Sequence, residues 1–356
     1  MFSPADLQVP IVAAPMAGGP STPVLVAEVG EAGGLGFLAA GYRSASNLAA
    51  DVESVRSMTS APFGVNVFLV EPFELDAVLV EAYRQSLEPE ASRLGVDLGS
   101  VGWDDDDWAA KVELLLDVRP DVVSFTFGCP SADLLRQFAD VGVLTAVTVT
   151  TADEAKVAVA RGATSIALQG PDAGGHRGTW DQSADPDSTP LLELVSAVTR
   201  DVEVPVMAGG GLASSADVSA VLAQGAAAAQ LGTAYLLADE AGTNATHRAA
   251  LADPTMSLTS LTRAYTGRWA RGLQNRFMLE HADAPPGYPQ LHHLTAPLRA
   301  AAISAGDQQV AHLWAGTGQS GSRPASAAAI TRFLAPPDRS RGAGSAWELR
   351  GTAASA

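Results

Sequence analysis

Thr164-Ser-Ile-Ala-Leu-Gln-Gly-Pro-Asp-Ala-Gly-Gly-His-Arg-Gly-Thr179 opens as an apolar run over 165–168 and breaks into a loop. Gly170, Gly174, Gly175 and Gly178 surround a single histidine, His176. An apolar run this short, ended by Gly and Pro, reads as a buried strand. A strand leading into a glycine-rich loop with one titratable side chain is how an α/β barrel carries chemistry at its C-terminal face. Glycines let backbone approach a ligand where a Cβ would stand in the way. An imidazole gains or loses its proton near neutral pH.

Outward from this stretch, β-type apolar runs alternate with helical patterns, the mark of a parallel sheet. Strands are expected at 11–14, 35–39, 63–68, 122–126, 143–147, 165–168, 204–208 and 228–231. Helices are expected at 23–32, 45–58, 132–141, 152–161, 191–199 and 215–224, with Thr22, Ser44, Ser131 and Thr151 as caps. Eight strands with connecting helices suggest a TIM (β/α)8 barrel, whose core takes about 250 residues. An open doubly wound sheet competes, since periodicity does not reveal closure. The barrel is expected over 1–238 with an excursion at about 70–119, a smaller, mainly helical region covering the active site over 239–333, and a weakly ordered tail over 334–356.

Composition narrows the function classes. A chain of 356 residues with 47% hydrophobic content and a mean hydropathy of +0.13 can build a large core. A net charge of −17 argues against nucleic acid and anionic membranes as partners. The single cysteine, Cys129, excludes a disulfide framework and multi-cysteine metal sites, and reads as a small buried hydrophobe. The N-terminus lacks a signal-peptide pattern, and the uncharged run 218–238 reads as helix, turn and strand, so a cytoplasmic protein is expected. Asp104 to Asp107 read as a solvated helix start. Arg263, Arg268, Arg271 and Arg276 form a basic cluster that serves either ion pairs or anion attraction. His247, His281, His292, His293 and His312 read as surface or packing residues.

The loops after the strands share one face of a barrel. Ala14-Pro15-Met16 follows the first strand, Asn66 lies in the third, and Gln169 ends the sixth. Gly209-Gly210-Gly211 follows the seventh, and Gln230-Leu231-Gly232-Thr233 spans the end of the eighth. Glycine loops after the last two strands commonly bind phosphate through free backbone N–H groups. Asn66, Gln169 and Gln230 carboxamides can meet the donor and acceptor edge of a polar ring. Phosphate at one end and amides at the other suit a phosphorylated planar cofactor such as FMN. No Walker run is present.

These residues, in this order, resemble the nitronate monooxygenase (2-nitropropane dioxygenase) family, most closely its first class. The matching segments are Ala13-Ala14-Pro15-Met16, Phe63-Gly64-Val65-Asn66, Gln169 through Gly178, Met207 through Gly211, Gln230 through Thr233, Leu261 through Arg268, Asn275-Arg276-Phe277 and Leu313 through Gly316. The resemblance covers most of the chain. It implies an FMN-binding TIM barrel in which Ala14, Pro15, Met16, Asn66, Gln169 and Gly174 contact FMN. It further implies that Gly210, Gly211, Gln230, Leu231, Gly232 and Thr233 hold the ribityl phosphate, and that His176 is the active-site base. Trp314 falls where the family has an aromatic near the substrate. Asp172 replaces the usual acidic residue of the central motif, and Ala-Gly-Thr-Gly-Gln after Trp314 leaves Gln319 unplaced. The implied reaction is oxidation of an alkyl nitronate, such as propionate 3-nitronate, by O2 to a carbonyl compound and nitrite. An FMN-dependent NAD(P)H reductase of quinones or enoyl thioesters, and a non-catalytic flavin-binding protein, are the alternatives.

Overall fold

Eight parallel strands close into a barrel in the computed structural model, which describes residues 2–337. They are β1 (Ile11–Ala13), β2 (Leu35–Ala39), β3 (Phe63–Phe68), β4 (Val122–Thr126), β5 (Leu144–Val149), β6 (Ser165–Gln169), β8 (Val206–Gly209) and β9 (Ala228–Leu231). The remaining strand up to that point, β7 (Gly175–His176), lies in a separate sheet with β10 (Thr259–Thr262) and β11 (Ala270–Leu273). Pairing of β1 with β9, Val12 opposite Gln230, closes the barrel and removes the open-sheet alternative. Each of the eight expected strands is present, with ends shifted by two residues at most.

Side chains of alternate strand residues fill the barrel, among them Val12, Leu35, Phe37, Val122, Ala146 and Met207. A Cβ on Gly64 would come within 2.2 Å of the Phe37 ring, so the missing side chain on β3 is what seats Phe37. Truncating so enclosed a ring to alanine costs on the order of 3–5 kcal/mol. The opposite strand faces pack on helices α1 (Pro23–Glu31), α2 (Ala45–Met58), α5 (Ala132–Asp140), α6 (Ala152–Arg161), α7 (Leu191–Asp201) and α8 (Ser215–Ala223). Thr22, Ser44, Ser131 and Thr151 accept an orphan amide of α1, α2, α5 and α6 respectively, which fixes where those helices start.

Two helices of the ring come from the stretches outside the regular strand–helix alternation. Residues 70–119 contain α3 (Ala77–Leu94) and α4 (Trp108–Val118). The second of these packs on α2 and β3 as the third barrel helix, so only the earlier part of the stretch leaves the barrel. After β9 the chain forms α9 (Ala245–Ala252), β10, β11, α10 (Arg276–Glu280) and α11 (Gln290–Ser304). It then returns as α12 (Ala327–Leu334), which packs against α1 and α8 and completes the ring. A second core joins Val80, Tyr83 and Leu87 of α3 to Leu291, Leu294 and Leu298 of α11. The region above the barrel is thus built from both insertions and includes the three-stranded sheet beside its helices. Leu334 ends α12 and is buried; the tail expected beyond it lies outside the described residues from 338 onward.

The aspartate run does start a helix, with Asp107 as the N-cap of α4 and Asp104 and Asp107 exposed, but Asp106 is not solvated. Asp106 Oδ2 pairs with the fully buried Lys111 ammonium at 2.8 Å, and its Oδ1 accepts the Tyr42 amide at 2.9 Å. Asp107 accepts the Ala45 amide at 2.8 Å, and Asp104 meets His293 at 2.7 Å. The run therefore braces the loop after β2 against α4 and α11. No group of residues suited to hold a metal occurs among the described residues. The arginine cluster also divides. Arg276 pairs with Glu90 and Glu280, whereas Arg263, Arg268 and Arg271 donate to backbone carbonyls. Cys129 is buried, as expected of a small hydrophobe. Among the described residues, no helix is long and apolar enough to cross a membrane.

Candidate active site

A cavity of about 300 Å³ opens at the C-terminal ends of the barrel strands, beneath the region built by the insertions. Ala14, Pro15, Met16, Asn66, Gln169, Gly174, His176, Gly210, Gly211, Gln230, Leu231, Gly232 and Thr233 all line it, as does Trp314. Gln319 does not; its amide donates to the Ser257 carbonyl at 2.8 Å.

His176 is held by its backbone as much as by its side chain. It sits opposite Ala270 in the β7–β11 pairing, and the next amide, of Arg177, donates to the Trp269 carbonyl at 2.7 Å. The Gln169 carboxamide clamps the same loop, donating to the His176 carbonyl and accepting the Gly178 amide, both at 2.9 Å. Gln169 thereby shapes the histidine loop while it lines the cavity. Gly174 completes the clamp: a Cβ there would lie 2.5 Å from the Gly316 nitrogen, so the loop touches the strand-like segment after Trp314 backbone to backbone.

On the imidazole, Nε2 lies 2.9 Å from Thr266 Oγ1, which leaves Nδ1 as the ring nitrogen without a partner among the described residues. Rings of Phe127, Tyr288 and Trp314 surround it at 5.6 to 5.7 Å between centroids. Burial, followed by the positive charges of Arg268 and Arg299, lowers the His176 pKa to about 3. The imidazole is neutral at neutral pH and can accept a proton at Nδ1. The two arginines oppose the imidazolium and favour an anion in the cavity.

The opposite part of the cavity has the features of a phosphate cradle. The amides of Gly210, Gly211, Gly232 and Thr233 donate to no acceptor among the described residues. Unpaired amides gathered at strand ends are what an anion needs. Gly210 and Gly211 have φ of +134° and +75°, which side chains disfavour, and so turn their N–H groups away from the sheet. A Cβ on Gly232 would meet nothing closer than the Ala14 Cβ at 3.6 Å, so protein packing does not require glycine there. The Thr233 hydroxyl accepts the Gly316 amide at 2.9 Å and ties the covering segment to the cradle.

Between cradle and histidine lie the ring-facing amides. Asn66 Nδ2 donates to Ser124 and Thr126 hydroxyls at 2.9 Å and to the Ser124 carbonyl, which leaves Oδ1 without a partner among the described residues. The Gln230 carboxamide lines the cavity with no side-chain hydrogen bond among the described residues. The Ala14 amide is bonded to the Leu231 carbonyl and the Met16 amide to the Ser21 hydroxyl, so this turn offers carbonyls and apolar surface. Free backbone amides at one end, with Asn66 Oδ1 and the Gln230 carboxamide open toward the cavity, fit a flavin mononucleotide on the chemistry of their polar groups.

Several lining residues escaped the sequence reading. His247, His292 and His312 all face the cavity with His176, and burial is the largest cause lowering each imidazole. Tyr42, at φ +67° in the left-handed region, stacks on His292 with centroids 4.3 Å apart and planes 5° apart. Thr266 and Arg299 complete the set. Their signals are tertiary: each lies more than 60 residues from the loop it serves.

Comparison with known proteins agrees with this geometry. A family model described as "Nitronate monooxygenase" matches residues 5–335. A nitronate monooxygenase of Pseudomonas aeruginosa is 36% identical over 337 residues, covering 92% of this chain and 95% of its own length. The solved structure of nitroalkane oxidase from Streptomyces ansochromogenes superposes with a TM-score of 0.88 at 46% identity, over 92% of this chain and 95% of that one. FabK from Thermotoga maritima, at 24% identity and a TM-score of 0.72 over 93% and 92%, shares the fold.

Proposed function

The chain belongs to the nitronate monooxygenase family and is a flavin-dependent oxidoreductase, and we propose that it uses FMN and O2 to convert alkyl nitronates to a carbonyl compound and nitrite. Two nitronate anions and one O2 balance as two carbonyl groups and two nitrite ions. The observation that carries this reading is the pairing of a neutral imidazole, open at Nδ1, with a cavity whose lining contains Arg299 and no carboxylate, while the buried charge of Arg268 acts on the imidazole from outside that lining.

The amides of Gly210, Gly211, Gly232 and Thr233 would hold the cofactor phosphate, and Asn66 Oδ1 and the Gln230 carboxamide would face its ring. Bound FMN supplies the redox capacity, taking electrons from the substrate and passing them to O2. The chain supplies position, charge and proton handling. A nitronate arrives already as an anion and needs no base, and the positive wall favours it. A neutral nitroalkane must first lose its α-proton, which His176 Nδ1 can accept. Nε2 stays on Thr266 while this happens, so the ring keeps its orientation. The carbanion left behind offsets the unfavourable charge of the imidazolium next to Arg268 and Arg299. Because an imidazole lowered to about 3 is a weak base, preformed nitronates should be the better substrates.

The test is anaerobic mixing of the flavin-loaded protein with an alkyl nitronate. The flavin spectrum should change, and admission of O2 should release nitrite. A flavin indifferent to every nitronate but bleached by NADH or NADPH alone would overturn the proposal in favour of a pyridine-nucleotide reductase.

A further inference from the structure

Arg299 stands on α11 with 7% of its surface exposed and lines the cavity. Its Nε donates to Thr295 Oγ1 at 3.0 Å, and its Nη2 donates to the His292 carbonyl at 2.9 Å and to His292 Nδ1 at 3.1 Å. Nη1 has no partner among the described residues. Arg93 and Arg276, at the edge of the same region, have Glu90, Asp307 and Glu280 as ion-pair partners. Arg299 has no such partner among the described residues, and burial lowers its pKa. A buried guanidinium without an anion is costly, because burial removes its hydration and nothing of opposite charge replaces it.

The surroundings of Nη1 offer donors. Since arginine can only donate, His292 Nδ1 must accept from it, which puts the His292 proton on Nε2. The Tyr42 ring stacks flat on that imidazole, and its hydroxyl lies 3.5 Å from that of Tyr288. The asparagine and glycine groups of the cofactor cradle are not among the partners of Arg299, whereas its charge acts on His176 and His312. This corner therefore belongs to the substrate side of the cavity.

We propose that Arg299 is the anchor for a planar two-oxygen anion carried by the substrate, with His292 and Tyr42 forming the wall that orients it. With Nε and Nη2 spent on Thr295 and His292, the open Nη1 can give such a group a charge-assisted hydrogen bond, and the guanidinium charge favours the anion. Both a nitronate group and a carboxylate elsewhere on the same molecule have this chemistry. The second arm of the test below rests on the cavity being the nitronate site; the first does not.

The first arm titrates the flavin-loaded protein with nitrate and with propionate, neither of which it can oxidise, and follows the flavin difference spectrum. Saturable binding that weakens about tenfold or more in Arg299→Met, and partly recovers in Arg299→Lys, supports the anchor. Equal binding by all three proteins overturns it, whether or not nitronates are oxidised. The second arm compares KM for ethyl nitronate and propionate 3-nitronate. A rise for both assigns the nitronate group to Arg299, and a rise for propionate 3-nitronate alone assigns the carboxylate. No rise for either overturns the proposal. Tyr42→Phe, which keeps the stacked ring, supplies the same readouts should Arg299→Met not retain flavin: it should weaken anion binding by a smaller factor, and unchanged binding would count against the corner.

Discussion

Lowering the pH from 7.5 to 5 should destabilise this protein severely, because the cavity buries a cluster of neutral histidines. His176 is depressed to about 3 and His247 to about 4, with His292 and His312 also held well below their ordinary value. Each has a folded-state pKa below its unfolded value near 6.5. Between those two values the unfolded chain binds more protons, so stability is fully present above about 6.5 and is lost as pH falls. At pH 5 each histidine forfeits 1.5 units at about 1.4 kcal/mol per unit, or about 2 kcal/mol. Four of them amount to about 8 kcal/mol, comparable with the whole stability of a typical domain. Asp51 and Asp106, raised by burial, act in the opposite sense and offset part of this. Carboxylates with lowered values, such as Glu90 and Asp181, release their contribution only below the histidine window. The assay is denaturant unfolding at pH 7.5, 6.5, 5.5 and 5 with FMN held saturating. Stability should fall steeply through this range, and His312→Gln should lessen the slope by about one proton. A stability unchanged between pH 7.5 and 5 would refute the burial of neutral imidazoles around the site.

Three further outcomes follow from single contacts. Gly232→Leu should fold, since its Cβ would make only ordinary contacts, with Ala14 Cβ at 3.6 Å and Met16 at 3.8 Å, yet bind FMN about tenfold or more weakly; stoichiometric flavin after gel filtration would contradict the cradle. Asp106→Ala strands the fully buried Lys111 ammonium and should cost about 3–5 kcal/mol by denaturant midpoint, with Lys111→Met restoring part of it. An Asp106→Ala protein as stable as the parent would show that the pair is not buried as described. Thr266→Val removes the Nε2 partner and should lower turnover of neutral nitroalkanes about tenfold while sparing nitronates; identical effects on both substrates would deny Thr266 a part in orienting the base.

The barrel was legible because each strand is a short apolar run, the sixth, seventh and eighth ending at glycines, and four of its helices begin at a visible cap. Residues whose meaning is set by distant neighbours were not. The aspartate run looked solvated because sequence does not show Lys111 packed beneath Asp106 or the Tyr42 amide reaching it from 64 residues away. Gln169 read only as a ring-facing amide; its carboxamide also bonds the His176 and Gly178 backbone, a contact only the folded loop creates. The stretch 70–119 hid the third barrel helix because α3 precedes it with an equally helical pattern. His292 and Arg299, seven residues apart on α11, resemble surface positions in sequence, and only the packing of α11 over the strand ends turns them into the cavity.

The central claim, that His176 serves as a base only where a proton must be removed, is tested most directly by His176→Asn assayed on a nitroalkane and on its preformed nitronate. The account predicts that kcat/KM for the neutral nitroalkane falls by about 10² or more, while that for the nitronate and the flavin content stay close to the parent. Equal losses on the two substrates would contradict it.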